Sequence, residues 1–339
     1  MKKVSIVIPT RNEEKHIEKC INSILENDYP EKEIIVVDGM SNDKTREILK
    51  KYKEIKLIDN PDKITPIALN IGIKNSSGDY VMIAGAHSTY SKNYISECVK
   101  KLDENKCDIA GGKVVTIPGN NTKKALAISK VLSHPFGIGG AKYRINPQKE
   151  MYVDTVAYGI YKKEVFEKVG FFNPKLVRNQ DIEMNLRIKN SGFKILLVPI
   201  AKSYYFARDN FKDLFKNNFQ NGLWVILSTK YAKKAFSFRH LVPLFFVLFL
   251  ISILFIFKFT ILKTFYFSIL GLYLILNIFF SLKIAVEEKS FLIFFYSFLS
   301  FLILHISYGL GSLVGIFKRF FIKEWYKCIS QKVQILEKM

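Results

Sequence analysis

The chain has 339 residues, 49% of them hydrophobic and 24% charged, and a formal net charge of +21. That mix excludes a disordered chain, a small disulfide scaffold and a collagen-like repeat, while the length allows one large domain or two ordinary ones. The average hides a split: charged, polar and apolar residues mix up to about Pro199, whereas Leu241 to Phe317 is overwhelmingly Phe, Leu and Ile.

From the N-terminus, Val4 to Pro9 is a short apolar run that predicts a strand. It is too short for a signal peptide, so the soluble part is expected to start folding in the cytosol. Polar Thr10-Arg11-Asn12 follows, then Ile17, Ile21, Ile24 and Leu25 at helical spacing. Glu33 to Asp38 repeats the strand pattern, and Gly39 to Asp43 supplies turn and N-cap residues for a helix through Leu49. A third strand is expected at Ile55 to Ile58, a helix at Ile64 to Ile73 and a fourth strand at Tyr80 to Ala84. Strands joined by helices of this length run parallel with right-handed crossovers, which predicts an open α/β sheet. In such sheets ligands collect beyond the carboxyl ends of the strands, where the strand order reverses. The loops Thr10 to Glu13, Asp38 to Asp43 and Gly85 to Ser88 are therefore the ones expected to carry chemistry. Cys20, Cys98, Cys107 and Cys328 lack metal or redox spacing and read as buried thiols of a reducing compartment.

Farther along, Lys202 to Arg239 holds eight Lys or Arg against two Asp, a basic neck suited to anionic headgroups on the cytosolic side of a membrane. Leu241 to Phe257, Thr264 to Leu282 and Phe291 to Phe317 carry no formal charge, and each approaches or exceeds the roughly 20 residues that cross a ~30 Å hydrocarbon core. Three spans follow, the first two as a tight hairpin. Lys318, Arg319, Lys323 and Lys327 after the last span compete with the neck for the positive-inside rule. Either the third segment is re-entrant or partly interfacial, or the rule is broken here. The expected division is a soluble domain over 1–200, a basic interfacial neck over 201–240, spans over 241–317 and a basic tail over 318–339. The charge lies on helix faces and membrane flanks with no nucleic-acid motif, so nucleic acid is not an expected partner. Nothing in the sequence speaks to oligomeric state.

Four blocks recur in order: Val4 to Glu13, Ile35 to Thr45, Asn70-Ile71-Gly72 and Gly78-Asp79-Tyr80-Val81. With Gly159-Ile160-Tyr161, Val169 to Phe172, Asn179 to Asn185 and the tail block His305 to Gly311, the chain resembles family 2 glycosyltransferases of the GT-A fold. Within that family it is similar to membrane glucosyltransferases of succinoglycan-type exopolysaccharide assembly. The resemblance implies a nucleotide-sugar-binding GT-A domain followed by transmembrane helices. It also implies transfer of a sugar from a nucleotide-sugar, a UDP-sugar by type, to a hydroxyl of a lipid-linked saccharide, with inversion. The enzyme would be a multi-pass protein of the cell membrane with its catalytic domain facing the cytoplasm.

Carried over residue by residue, the resemblance implies that Asp181 is the catalytic base, in a Gln180-Asp181 pair where the family has Glu-Asp. A carboxylate at a helix start also serves as a plain cap. Asp38 matches a nucleotide contact on the base or ribose side. Thr10, Asn12 and Glu13 occupy the loop that grips the nucleoside, and Glu13 equally suits the first turn of a helix. Glu183 matches an often acidic position near the acceptor, and Arg208 a position suited to the leaving diphosphate.

At the end of the fourth strand the family places Asp-x-Asp or Asp-Ala-His to hold Mg²⁺ or Mn²⁺. This chain reads Gly85-Ala86-His87, leaving His87 as the metal or phosphate ligand. One imidazole is a weak site for a hard cation, although the diphosphate itself supplies oxygens, so two readings stand open: a divalent Mn²⁺ or Mg²⁺ cofactor held without the expected Asp, and a metal-sparing enzyme that sets basic groups or His87 directly on the phosphate. The block Phe219 to Trp224 lacks the Arg of the processive Gln-x-x-Arg-Trp motif, which argues for adding a single sugar. Two other readings share these motifs: a catalytically impaired scaffold of a polysaccharide complex, and a sugar transferase acting on a polyprenyl phosphate. In the last span, Gly309, Gly311 and Gly315 suit close helix packing, and His305 suits a lipid phosphate or a neighbouring helix.

Overall fold

The computed structural model describes residues 1–232, 238–256 and 259–321. Lys323, Lys327, Cys328 and most of the expected tail lie outside the described residues. In chain order the soluble part runs β1 (Val4–Thr10), α1 (Ile17–Leu25), β2 (Lys32–Asp38), α2 (Thr45–Leu49), β3 (Ile55–Asp59), α3 (Thr65–Lys74), β4 (Tyr80–Ile83), β5 (Ser88–Tyr90), α4 (Tyr94–Asp103) and β6 (Ile109–Ile117). Two helices, α5 (Lys123–Val131) and α6 (Pro135–Ile138), precede a 3₁₀ turn at Lys142–Arg144. Then come β7 (Met151–Tyr152), β8 (Ile160–Lys162), α7 (Lys163–Val169), α8 (Gln180–Asn190) and β9 (Ile195–Phe206), followed by α9 (Phe211–Ser228), α10 (Val242–Ile256), α11 (Thr260–Glu287) and α12 (Phe291–Phe321).

The chain divides into two compact units, residues 1–115 with 141–206, and residues 116–140 with 207 onward. A boundary drawn along the sequence near 200 thus passes over an excursion: residues 116–140 group in space with the C-terminal helices.

In the first unit nine strands form one sheet in the order β3-β2-β1-β4-β8-β6-β9-β5, with β7 added on β9. β1 to β4 pair in parallel as the helical crossovers require, whereas β8 runs antiparallel to β4 and to β6. Alternation along each central strand builds a core on both faces. Ile6, Ile8, Val36, Tyr80 and Met82 pack with Ile17, Cys20, Ile21 and Ile24 of α1, and Val7 and Val81 pack with Leu69 and Ile73 of α3 on the other face. Gly72 lets α3 lie against β1, since a Cβ there would sit 2.2 Å from Val7 Cγ1. Asn70 clamps Phe172 through both of that residue's backbone groups, at 2.8 and 2.9 Å. Two of the sequence blocks are thereby accounted for as packing. Strand order reverses between β1 and β4, so the crevice of the sheet opens beyond their carboxyl ends, at Thr10–Glu13 and Gly85–Ser88.

The second unit holds three helices long and apolar enough to cross a membrane. α12 is uninterrupted over 31 residues, roughly 45 Å at 1.5 Å per residue, so the last apolar stretch is a continuous helix and not a re-entrant pair. It packs against α9 through small residues. A Cβ on Gly222 would lie 1.9 Å from the Tyr308 carbonyl oxygen, and one on Gly311 would lie 2.0 Å from that of Phe219. His305 spends both ring nitrogens inside this unit, on Tyr273 Oη at 2.9 Å and the Phe136 carbonyl at 2.8 Å. Of its two expected uses, the structure shows the helix contact. Because α9 and α12 touch backbone to backbone, Gly222→Ala should destabilise this unit by about 1–3 kcal/mol. Gly271, with open space around it, is the control: Gly271→Ala should not lower the thermal midpoint in detergent.

Candidate active site

The loops after β1 and β2 are laced to one another. The backbone N–H of Asn12, held at φ 54°, donates to Ser41 Oγ at 2.9 Å, and its Oδ1 accepts from the Asn42 N–H at 3.0 Å. The Glu13 N–H donates to Thr45 Oγ1 at 2.8 Å, and the Thr10 carbonyl accepts from Gly39 at 2.7 Å. Asp38 is fully buried beneath this lacing. It accepts from the Ser41 N–H at 3.0 Å, from the Ser41 hydroxyl, and from Arg46 Nη1 at 2.7 Å, and Arg46 reaches on to Asp59 at 2.8 Å. Thr10 is also buried. Of the residues expected to grip a nucleoside, then, Asp38 and Asn12 direct their side chains into the loops and act by shaping them, while Glu13 remains half-exposed at the crevice.

The turn at the end of β4 is defined by what surrounds Gly85. Its N–H donates to Tyr90 Oη at 2.8 Å, and Cys20 Sγ donates to its carbonyl at 3.4 Å. A Cβ on this residue would lie 2.7 Å from Tyr158 Cε1. That ring is not free to yield, because Ser88 Oγ holds its hydroxyl at 2.6 Å and Tyr90 meets it edge-on at 5.6 Å. Two residues on, His87 Nδ1 stands 3.4 Å from Glu13 Oε1 and the imidazole meets the edge of Tyr205 at 5.5 Å. Tyr205 is delivered here by strand register, as β9 pairs antiparallel with β5 and sets Tyr205 opposite Ser88. The guanidinium of Arg144, from the 3₁₀ turn, lies 4.7 Å over the Tyr205 ring. His16 stacks on Phe206 at 5.1 Å, and its pKa is lowered by burial, opposed by Glu13 and assisted by His87.

Asp181 sits in the first turn of α8, entered through Asn179 in the left-handed conformation. The residue keeps an exposed surface, although protein packs around its carboxylate. Burial raises its pKa, against the opposing pull of the backbone N–H groups of Ile182 and Asp181 and the charge of Arg144. Tyr161 has its own pKa raised by burial and by the Asp181 charge.

Two further expected site residues are Glu183 and Arg208. Glu183 is buried and forms a two-point ion pair with Arg187, at 2.7 and 3.0 Å. Arg187 in turn binds the Val169 and Phe171 carbonyls. Two residues along α8 from Asp181, and so on a different face of the helix, Glu183 is turned into the body of the unit, where it fastens α8. Arg208 is exposed in the stretch between β9 and α9 and belongs to the second unit.

The side chains at this end of the crevice do not by themselves complete a shell for a divalent cation. Among the described residues no three His, Cys, Asp or Glu side chains stand together. His87 and Glu13 offer one nitrogen and one carboxylate, where a hard cation takes a shell of oxygens, and the volume a carboxylate at position 85 would need is filled by Tyr158. Arg144, Tyr158 and Tyr205 were not marked by the sequence. Tyr158 immediately precedes the Gly159-Ile160-Tyr161 block and Arg144 closes an aromatic and basic run, but only the folded sheet brings them to Gly85 and Asp181.

The description of glycosyl transferase family 2 matches residues 5–170. A curated relative from Methanococcus voltae is 31% identical over 74% of this chain and 81% of its own length. It is named dolichyl N-acetyl-alpha-D-glucosaminyl phosphate 3-beta-D-2,3-diacetamido-2,3-dideoxy-beta-D-glucuronosyltransferase. The chain belongs to glycosyl transferase family 2. Succinoglycan biosynthesis protein ExoA of Rhizobium meliloti (strain 1021) is 26% identical over 64% of this chain and 67% of that protein. A crystal structure of S. aureus TarS 1–349 in complex with UDP-GlcNAc aligns with a TM-score of 0.49 at 18% identity, covering 66% of each chain. As a family 2 member the chain is a glycosyltransferase with a GT-A-like sheet and three long apolar helices at its C-terminal side.

The role of Asp38 is open to a stability test. Asp38→Ala strands the Ser41 and Arg46 donors and should destabilise the first unit by about 2 kcal/mol. Asp38→Asn, which keeps an acceptor for the Ser41 N–H, should lose less; thermal unfolding of the two variants side by side measures the difference.

Proposed function

We propose that this glycosyltransferase transfers one sugar, with inversion, from a UDP-sugar to a hydroxyl of a lipid-linked saccharide, without processive chain growth. The observation that carries the reading is Asp181: a carboxylate with an exposed surface in the first turn of α8, felt by the charge of Arg144, with its pKa raised by the protein packed around it. A base for an alcohol has to be ionised at working pH yet basic enough to take a proton, and a raised carboxylate meets both needs. The acceptor oxygen attacks the anomeric carbon from the face opposite the leaving diphosphate, its proton passes to Asp181, and a single displacement inverts the centre. Asp38, Asn12, Thr10 and Glu13 support the nucleoside end, the first three by fixing the loops.

A saccharide on a lipid phosphate as acceptor draws support from the name of the Methanococcus voltae relative. Three apolar helices and a neck with eight Lys or Arg against two Asp support a multi-pass protein with its catalytic domain on the cytoplasmic face. Non-processive transfer is supported by the block Phe219 to Trp224, where Gly222 is committed to packing on α12 and no Arg precedes Trp224.

With purified full-length protein, a donor screen against a lipid-linked disaccharide should give one added sugar, and Asp181→Asn should slow transfer about 10²–10⁴-fold while leaving UDP binding intact. Full turnover in Asp181→Asn would overturn the base assignment, and sugar found on a bare polyprenyl monophosphate would overturn the acceptor. Since the base acts only when ionised, transfer should fall as pH drops through the raised pKa of Asp181. The acid limb of kcat/KM should therefore lie above the ~3.9 of an unperturbed aspartate.

A further inference from the structure

We propose that Arg144, laid on the ring of Tyr205, takes the place of a divalent cation at the leaving diphosphate, so that this glycosyltransferase works without metal. The proposal rests on the nucleotide-sugar reading above and goes beyond it. Three observations converge on the end of β4. The position at which the family resemblance expects a metal-binding carboxylate is Gly85, and Tyr158 closes it to any side chain, 2.7 Å from where a Cβ would be. The donors left nearby, His87 and Glu13, are turned to each other at 3.4 Å. Into the same end of the crevice the 142–144 turn brings a half-buried guanidinium that, among the described residues, has no carboxylate in ion-pair contact.

The arrangement is built as a unit. Ser88 anchors Tyr158 through its hydroxyl and, through the pairing of β5 with β9, stands opposite Tyr205. Tyr205 carries Arg144 at 4.7 Å and meets His87 at 5.5 Å. The side chain that excludes the metal carboxylate and the one that carries the cation are thus held by one residue. A guanidinium is charged at every working pH and presents planar paired donors that match two phosphate oxygens. Stacking on Tyr205 orients that plane and reduces the freedom lost when an anion binds.

In the transfer, the bond between acceptor oxygen and anomeric carbon forms as the bond from that carbon to the β-phosphate oxygen breaks. The electron pair stays on the diphosphate, the acceptor proton goes to Asp181, and Arg144 N–H groups bind the phosphate oxygens as their charge grows. No oxidant, reductant or further reactant is consumed.

The test is UDP binding to the full chain in detergent by calorimetry, in EDTA and in Mn²⁺. The proposal expects the same affinity in both buffers, a loss of about 10–100-fold for Arg144→Ala, and a smaller loss for Arg144→Lys, which keeps the charge without the planar fork. Arg144 lies on a half-exposed turn, and thermal unfolding verifies that both variants fold. A second readout follows from the electrostatics: without the Arg144 charge, which favours ionised Asp181, the acid limb of transfer in Arg144→Lys should stay near wild type and that of Arg144→Ala should move to higher pH. Binding of UDP in Mn²⁺ alone, or undiminished binding by Arg144→Ala, overturns the proposal and leaves the donor reading standing. Absence of UDP binding in both buffers overturns the donor reading, and this proposal with it.

Discussion

At the carboxyl end of β4 a side chain at position 85 and the ring of Tyr158 compete for one volume. The ring holds it, pinned by Ser88 and bordered by Tyr90. Much of the chemistry at this end follows from that contact. On the proposal above, with no carboxylate at position 85 the positive charge that faces a diphosphate comes from the chain itself, in Arg144. Electrostatic stabilisation of a leaving group depends on a charge fixed in advance where negative charge will develop. A guanidinium stacked on a strand-borne tyrosine is such a charge, positioned by sheet register and not by a bound ion.

The same economy governs the rest of the first unit. Buried carboxylates are placed where they fasten structure: Asp38 with Ser41 and Arg46 under the loops after β1 and β2, and Glu183 with Arg187 under the start of α8. Of the expected acids, Asp181 is exposed and Glu13 half-exposed. Asp181 lies two residues before Glu183, whose pair with Arg187 fixes the helix that carries both.

How much of this was legible beforehand depended on the range of the interactions. The parallel half of the sheet, its helices and the crevice loops follow from local periodicity and turn residues, and β1 to β4 form where those signals place them. The apolar stretches became helices for the same reason, and the small residues of the last span found their use against α9. Sequence reveals residue type but not direction: Asp38 and Glu183 were recognisable as acids at the right stations, yet both turn inward because Arg46 and Arg187 meet them there. Tyr158, Tyr205 and Arg144 gave no local signal, since their meeting depends on the antiparallel pairing of β9 with β5, which brings together segments far apart in the chain. The grouping of residues 116–140 with the C-terminal helices was hidden for the same reason.

The most direct measurement is an experimental structure of the full-length chain with UDP bound in the presence of Mn²⁺. The account predicts the diphosphate within hydrogen-bonding distance of Arg144, the Tyr158 ring still over Gly85, and no cation between the phosphates and His87. A diphosphate bridged to His87 and Glu13 by a metal ion, with Tyr158 swung away and Arg144 turned to solvent, would contradict it.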